Sequence, residues 1–243
     1  MSGRNYRIST PCKNIRILHL YFKTRKLINE FFYRTTMDKM DKQRLIDYED
    51  SIVAAFNRRE IASPIHFSGG NEEQLIGIFR QIRPQDWVFA TYRSHYHALL
   101  KGVPEEWLTE WIRDNKSIHL MSKEYRIVTS AIVGGHLPQA VGMAMAIKLK
   151  GLDERVWAFC GDMAAETGTF HECHKYATRQ GLPVTFVVED NGVSTNTPTQ
   201  DTWVRQCAGS DNVVRYSYQR VHPHYGTKEN PWNRGEERKA GAF

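Results

Sequence analysis

Residues 155–192 read RVWAFCGDMAAETGTFHECHKYATRQGLPVTFVVEDNG, and the punctuation of this stretch decides the fold. The apolar run 155–160 reads as a short strand, stopped by Gly161-Asp162. From 166 to 179, Phe170, Cys173 and Ala177 recur at helical spacing, and Gly181 closes the segment because glycine takes a left-handed cap without penalty. Residues 182–188 are strongly β-branched and read as a second strand, ended by Glu189-Asp190-Asn191-Gly192. Strand, helix, strand predicts a βαβ unit whose parallel strands are buried and whose ligand sits beyond their carboxyl ends. Both polar turns fall at that edge. Asp162 and Asn191, 29 residues apart, would face one crevice there. A carboxylate, an amide oxygen and a nearby main-chain carbonyl are hard donors that suit magnesium or calcium. The turn 161–165 leads into a helix N-terminus, where free N–H groups favour an anion. The pattern proposes a metal-bridged phosphate site; an Asp after one strand and an Asn after another also occurs as plain turn chemistry.

Working outward, residues 137–150 read as a helix with Leu137, Val141, Ala144 and Met145 inward and Gly151 past its end. Residues 41–59 form an amphipathic helix through Leu45, Tyr48, Ile52, Val53 and Phe56. A loop at 62–71, marked by Pro64 and Gly69-Gly70, precedes a helix over 72–83 and a short strand over 87–90. Pro104 opens a further helix, with Trp107 and Trp111 on its core face. After Asn191 the chain reads as polar and irregular. Three units follow: a basic arm over 1–40, a body over 41–226 and a polar tail over 227–243.

Composition narrows the class. Of 243 residues, 41% are hydrophobic and 12% aromatic, which is too apolar for a disordered chain. No apolar run approaches the roughly 20 residues of a membrane span. Cys12, Cys160, Cys173 and Cys207 form no CxxC pair, against a zinc ribbon or a disulfide scaffold and in favour of a reducing, cytoplasmic setting. The net charge of +6 suggests nucleic acid until it is located: residues 1–44 hold eleven Lys or Arg against three acids, and the remainder is slightly acidic. The arm reads as a solvated extension, a segment packing on a partner, or residues upstream of a start at Met37 or Met40. A transit peptide, which would place the protein in the mitochondrial matrix, is the sharper alternative. No nucleic-acid or membrane partner is expected. His171, Cys173 and His174 share a helix but read as surface and core, while His95 and His97 either border the site or belong to a loop.

The stretch 161–191 resembles the thiamine-diphosphate motif, which opens with GDG and closes near NN, and looks like that of the alpha subunits of 2-oxo-acid dehydrogenases. Four further segments are similar to that family. Residues 65–73, IHFSGGNEE, resemble its HLYxGQE segment, and residues 91–95, TYRSH, its YRxH segment. Residues 117–120, SIHL, resemble SMHM, and residues 131–138, AIVGGHLP, resemble GIVGxQxP. Order and spacing agree from about residue 45 to 200.

The resemblance implies an α/β fold, a mostly parallel sheet flanked by helices that binds thiamine diphosphate and Mg2+. It implies Asp162, Asn191 and the Val193 carbonyl as metal ligands, and Tyr92, Arg93, Met163 and Ala164 at the diphosphate. Backbone groups of Ala131 and Val133 would hold the aminopyrimidine. His66 would line the active site, and a second histidine would be His222 or His224. The implied function is decarboxylation of a 2-oxo acid with acyl or aldehyde transfer, by an oxidoreductase subunit. It implies a beta-type partner that supplies the activating glutamate in an α2β2 assembly, and a lipoyl domain as acceptor. A transketolase-like split enzyme acting on a ketose phosphate, or a catalytically silent interaction subunit, is the alternative. Two departures bear on this: Met163 stands where the family has the second glycine of GDG, and Thr195 where it often has a bulky apolar wedge. The segment between Asn191 and Tyr218 is also short, so a reduced or divergent relative is expected.

Overall fold

The computed structural model describes residues 40–204 and 211–229. The basic arm ahead of Met40 and the tail beyond Glu229 lie outside the described residues. Helix α1 (Lys42–Asn57) begins at Asp41, whose carboxylate caps the Arg44 amide. Helix α2 (Glu72–Phe79) leads to β1 (Trp87–Thr91), then α3 (His95–Leu100) and α4 (Glu105–Arg113). Strands β2 (Met121–Ser122) and β3 (Ile127–Ser130) precede α5 (His136–Leu149) and β4 (Val156–Gly161). Helices α6 (Asp162–Ala165) and α7 (Gly168–Arg179) lead to β5 (Val184–Asp190). A small hairpin, β6 (Val193–Ser194) and β7 (Thr197–Pro198), precedes α8 (Thr199–Thr202) and β8 (Val213–Ser217).

The main sheet runs β2-β3-β1-β4-β5-β8, parallel throughout except for the β2/β3 pair. The α/β expectation is borne out, and so is the βαβ unit, with Val156 to Gly161 in register against Val184 to Glu189. Strand side chains alternate between two apolar layers. Trp157, Phe159 and Val187 pack under α1 to α4, whereas Ala158, Cys160, Phe186 and Val188 pack under α5 to α7. Coverage on both faces is what parallel strands require.

Three expectations are corrected. The helix read over 166–179 begins only at Gly168, because the Thr167 side chain caps the Phe170 amide and a separate turn, α6, starts at Asp162. The second strand extends to Asp190, since its ladder with β8 continues to Ser217. The region after Asn191 is not irregular throughout: Val213–Ser217, whose valines and tyrosine favour extended backbone, completes the sheet as an edge strand.

Topology positions the site. From β1 the chain passes to β3 on one side and then returns to β4 on the other, so the order reverses between β1 and β4. Loops leaving the carboxyl ends of two such strands diverge and leave a crevice.

Candidate functional site

A cavity opens at that reversal, lined from the carboxyl ends of β1, β3, β4 and β5. The end of β1 supplies Thr91, Tyr92 and Arg93; the loop after β3 supplies Ile132, Val133 and Gly134. From β4 and α6 come Asp162, Met163 and Ala164, and from β5 and the hairpin Glu189, Asn191, Val193 and Thr195. The segment after β8 closes the wall with Tyr218, Arg220 and His224.

Of the residues singled out from sequence, Tyr92, Arg93, Val133, Asp162, Met163, Ala164, Asn191 and Val193 thus line one cavity. Ala131, His66 and His222 do not reach it. His66 stands one layer back: its ring lies 4.2 Å from Tyr92, and its Nδ1 donates to the His224 carbonyl at 2.7 Å. His222 packs on Phe67, 5.3 Å between ring centroids, so of the two late histidines His224 is the one on the cavity. Arg220 and Tyr218 are site residues that no motif in the sequence marks. Tyr218 was legible in part, two residues after Tyr216 on an alternating run, but its reach to Asn191 depends on the β5/β8 register.

The electrostatics follow from burial. The Asp162 carboxylate is 2% exposed and accepts from the Thr199 hydroxyl. Asn191 makes a local turn, its Oδ1 accepting from the Val193 amide at 3.1 Å, which leaves that oxygen a second lone pair. Arg93 donates to the Phe67 and His224 carbonyls, the latter at 2.9 Å, using part of its five N–H donors. Burial, with Arg93 and Arg220 adding to it, pushes the His224 imidazole down to about 4. Burial takes His66 down to about 3, so both rings are neutral near pH 7. Burial and then Glu189 push the Tyr218 phenol up to about 12, which keeps it a donor to neighbouring groups.

The donor chemistry is of the kind that could hold a hard cation with an anionic group: hard oxygens at Asp162, Asn191 and Val193 line the same cavity as Arg93 and Arg220. Met163 has no positive φ, so its amide is in ordinary helix-start geometry despite the lost glycine. Thr195 does have one, φ 54, a left-handed conformation that costs a β-branched residue about 1–3 kcal/mol and marks a constrained turn.

The model of the family described as dehydrogenase E1 component matches residues 40–208. The chain belongs to this family. Among curated relatives it is 31% identical over 184 residues to the alpha subunit of acetoin:2,6-dichlorophenolindophenol oxidoreductase from Cupriavidus necator, covering 69% of this chain and 55% of that one. It is 30% identical over 164 residues to the chloroplastic pyruvate dehydrogenase E1 component subunit alpha-3 of Oryza sativa, covering 59% and 38%. A pyruvate dehydrogenase E1 component subunit alpha from Zymomonas mobilis is 29% identical over 192 residues, covering 74% and 52%. The chain spans about half or less of the length of these E1 relatives. The resemblance carried by the five motifs is borne out: they fall within the matched residues, and the relatives are alpha subunits. Among the described residues no helix is long and apolar enough to cross a membrane.

Proposed function

We propose that the cavity binds thiamine diphosphate with Mg2+ and that the chain serves as the alpha-type part of an enzyme acting on a 2-oxo acid. The observation that carries this reading is that Asp162, Asn191, Val193, Tyr92 and Arg93 line one cavity at the strand-order reversal. Asp162 and Asn191 would hold the metal through side-chain oxygens and Val193 through its carbonyl. Arg93 and the first-turn amides of α6, at Met163 and Ala164, would hold the diphosphate. Backbone groups at Val133 would seat the pyrimidine. When bound, the cofactor supplies an acidic thiazolium carbon that adds to the substrate carbonyl and takes up the electrons released as carbon dioxide leaves.

The chain's own residues bind and orient rather than activate. Neutral His224 on the wall, backed by His66, offers a hydrogen bond to the reacting group without a fixed charge. Arg220 supplies positive charge toward a substrate carboxylate. Ile132 and Val133 stand 72% and 61% exposed on the cavity wall, so the cleft is half open. A beta-type subunit would cover it and bring the activating glutamate, in an α2β2 assembly, with a lipoyl domain as acceptor. Excluding water there strengthens the electrostatic effects on which the reaction relies. The chain by itself is therefore expected to bind cofactor but not to turn over.

Calorimetry tests the central point. Thiamine diphosphate should bind in the presence of magnesium, fail to bind with a chelator, and lose most of its affinity in a folded Asp162→Ala variant. Equal affinity in wild type and variant would sink the metal assignment; no binding by wild type would sink the cofactor.

A further inference from the structure

Three consecutive residues in the first turn of α3 each face a different buried carboxylate. His95 Nδ1 donates to Glu49 at 3.0 Å, the Tyr96 hydroxyl donates to Glu72 at 3.1 Å, and His97 Nε2 lies 3.4 Å from Glu189. The same carboxylates hold the loop that precedes α2. Glu49 accepts from the Ser68 amide at 2.7 Å, and Glu72 from the Gly70 amide at 2.8 Å. Glu189 accepts from the Asn71 side chain at 3.1 Å. The Ser117 hydroxyl, 2.9 Å from His95 Nε2, ties the far end of the first of these chains to the loop after α4.

Buried carboxylates are costly, and an apolar core in their place is often as stable or more so. Glu49 is 1% exposed and Glu72 6%, so their presence calls for a return other than stability. The loop's other edge shows what it is. The Phe67 carbonyl accepts from Arg93, His66 donates to the His224 carbonyl, and the Ile65 carbonyl accepts from the Gly226 amide. Buried acids thus pull one side of the loop, while the other side carries the histidine pair and fixes the guanidinium on the cavity wall.

We propose that Glu49 and Glu72 are positioning residues: they hold the loop 65–71, and through it His66 one layer behind the cavity and the Arg93 guanidinium on its lining. Burial and the neighbouring acids keep the Tyr96 phenol far above its usual titration range, so it remains a donor to Glu72. Neither acid touches ligand; each acts through main-chain amides. This rests on reading the cavity as the cofactor cleft, but its decisive readout does not need the cofactor.

In nitrogen-15 histidine spectra of the unliganded chain at neutral pH, His66 should be the neutral Nδ1–H tautomer, because Nδ1 donates to the His224 carbonyl. Glu49→Ala should shift it toward the solvent-exposed Nε2–H form and weaken thiamine diphosphate binding by roughly tenfold to a hundredfold. Glu49→Gln, which keeps the shape and one acceptor, should retain the wild-type signal. Ile147→Ala, in the opposite core layer, serves as a comparator of lost stability and should leave His66 unchanged. If Glu49→Ala does not fold, Tyr96→Phe is read in its place, since it removes only the hydroxyl that holds Glu72. An unaltered His66 signal in the folded variant, or the same change in Ile147→Ala, overturns the proposal. Failure of the wild type to bind thiamine diphosphate would overturn the cofactor reading and leave the His66 result to stand or fall separately.

Discussion

At the scale of single residues, two glycines have opposite duties. Gly70 sits at φ +93, and a Cβ there would lie 2.0 Å from the Gln219 carbonyl oxygen. The segment after β8 can lie against the loop 65–71 only because this side chain is missing. Gly70→Ala should therefore cost about 1–3 kcal/mol in urea denaturation and loosen the segment that carries Arg220 and His224. Gly142, in the interior of α5, has nothing within 4 Å of where its Cβ would be, and its backbone is helical. Gly142→Ala should raise stability by about 0.5–1 kcal/mol, chiefly by restricting the unfolded chain. The two substitutions, alike in chemistry, should change stability in opposite directions. The pair of glycines at 69 and 70 was visible in the sequence as a turn; that it permits the approach of a segment about 150 residues later was not.

At the scale of elements, the break between α6 and α7 separates the part of the chain that faces ligand from the part that packs. Apolar spacing alone reads 166–179 as one helix, since Phe170, Cys173 and Ala177 keep the period. Thr167 ends that continuity. Its hydroxyl donates to the Ala164 carbonyl at 2.7 Å and its oxygen accepts from the Phe170 amide, so it stops one helix and starts the next. Thr167→Ala should cost about 1 kcal/mol, the usual worth of such a cap, and should fray the α6 turn that carries Asp162 and Met163. Faster amide exchange at 162–165, with α7 protected beyond its first turn, is the expected observation. Uniform loss of protection along α7 would mean that the two helices are one cooperative unit.

At the scale of the whole molecule, buried neutral histidines couple folding to pH. His136 is fully buried, donates from Nε2 to the Phe159 carbonyl at 2.7 Å, and is pushed down to about 4 by burial; His66 is taken to about 3. In the unfolded chain both titrate near 6.5. Between about pH 6.5 and 4 the unfolded state therefore binds more protons than the folded one. Stability is complete above pH 6.5 and falls as the pH drops through that window, with each of the two groups contributing up to about 1.4 kcal/mol per pH unit. Urea midpoints measured from pH 7.5 down to 4.5 should show the decline, and His136→Gln should reduce its slope by about one proton. An unchanged slope in that variant would show that His136 is not among the groups responsible.

Local information was enough for the βαβ unit and for the residues that end its strands, because side-chain period, β-branching and glycine punctuation act over a few residues. It was enough to place Asp162 and Asn191 at one edge, since parallel strands leave no other arrangement for two consecutive carboxyl ends. The five motifs were likewise legible as a family resemblance. What only the tertiary structure decided depends on register and on contacts between distant segments. Strand β8, VVRYS, carries strand-favouring residues, but only its pairing with β5 brings Tyr218, Arg220 and His224 to the cavity. Nothing in the sequence marks Glu49, Glu72 and Glu189 as one group, and they become a buried scaffold only where α3 crosses all three. The physical reason is the same in each case: a hydrogen bond between groups far apart in the chain leaves no periodic trace in it.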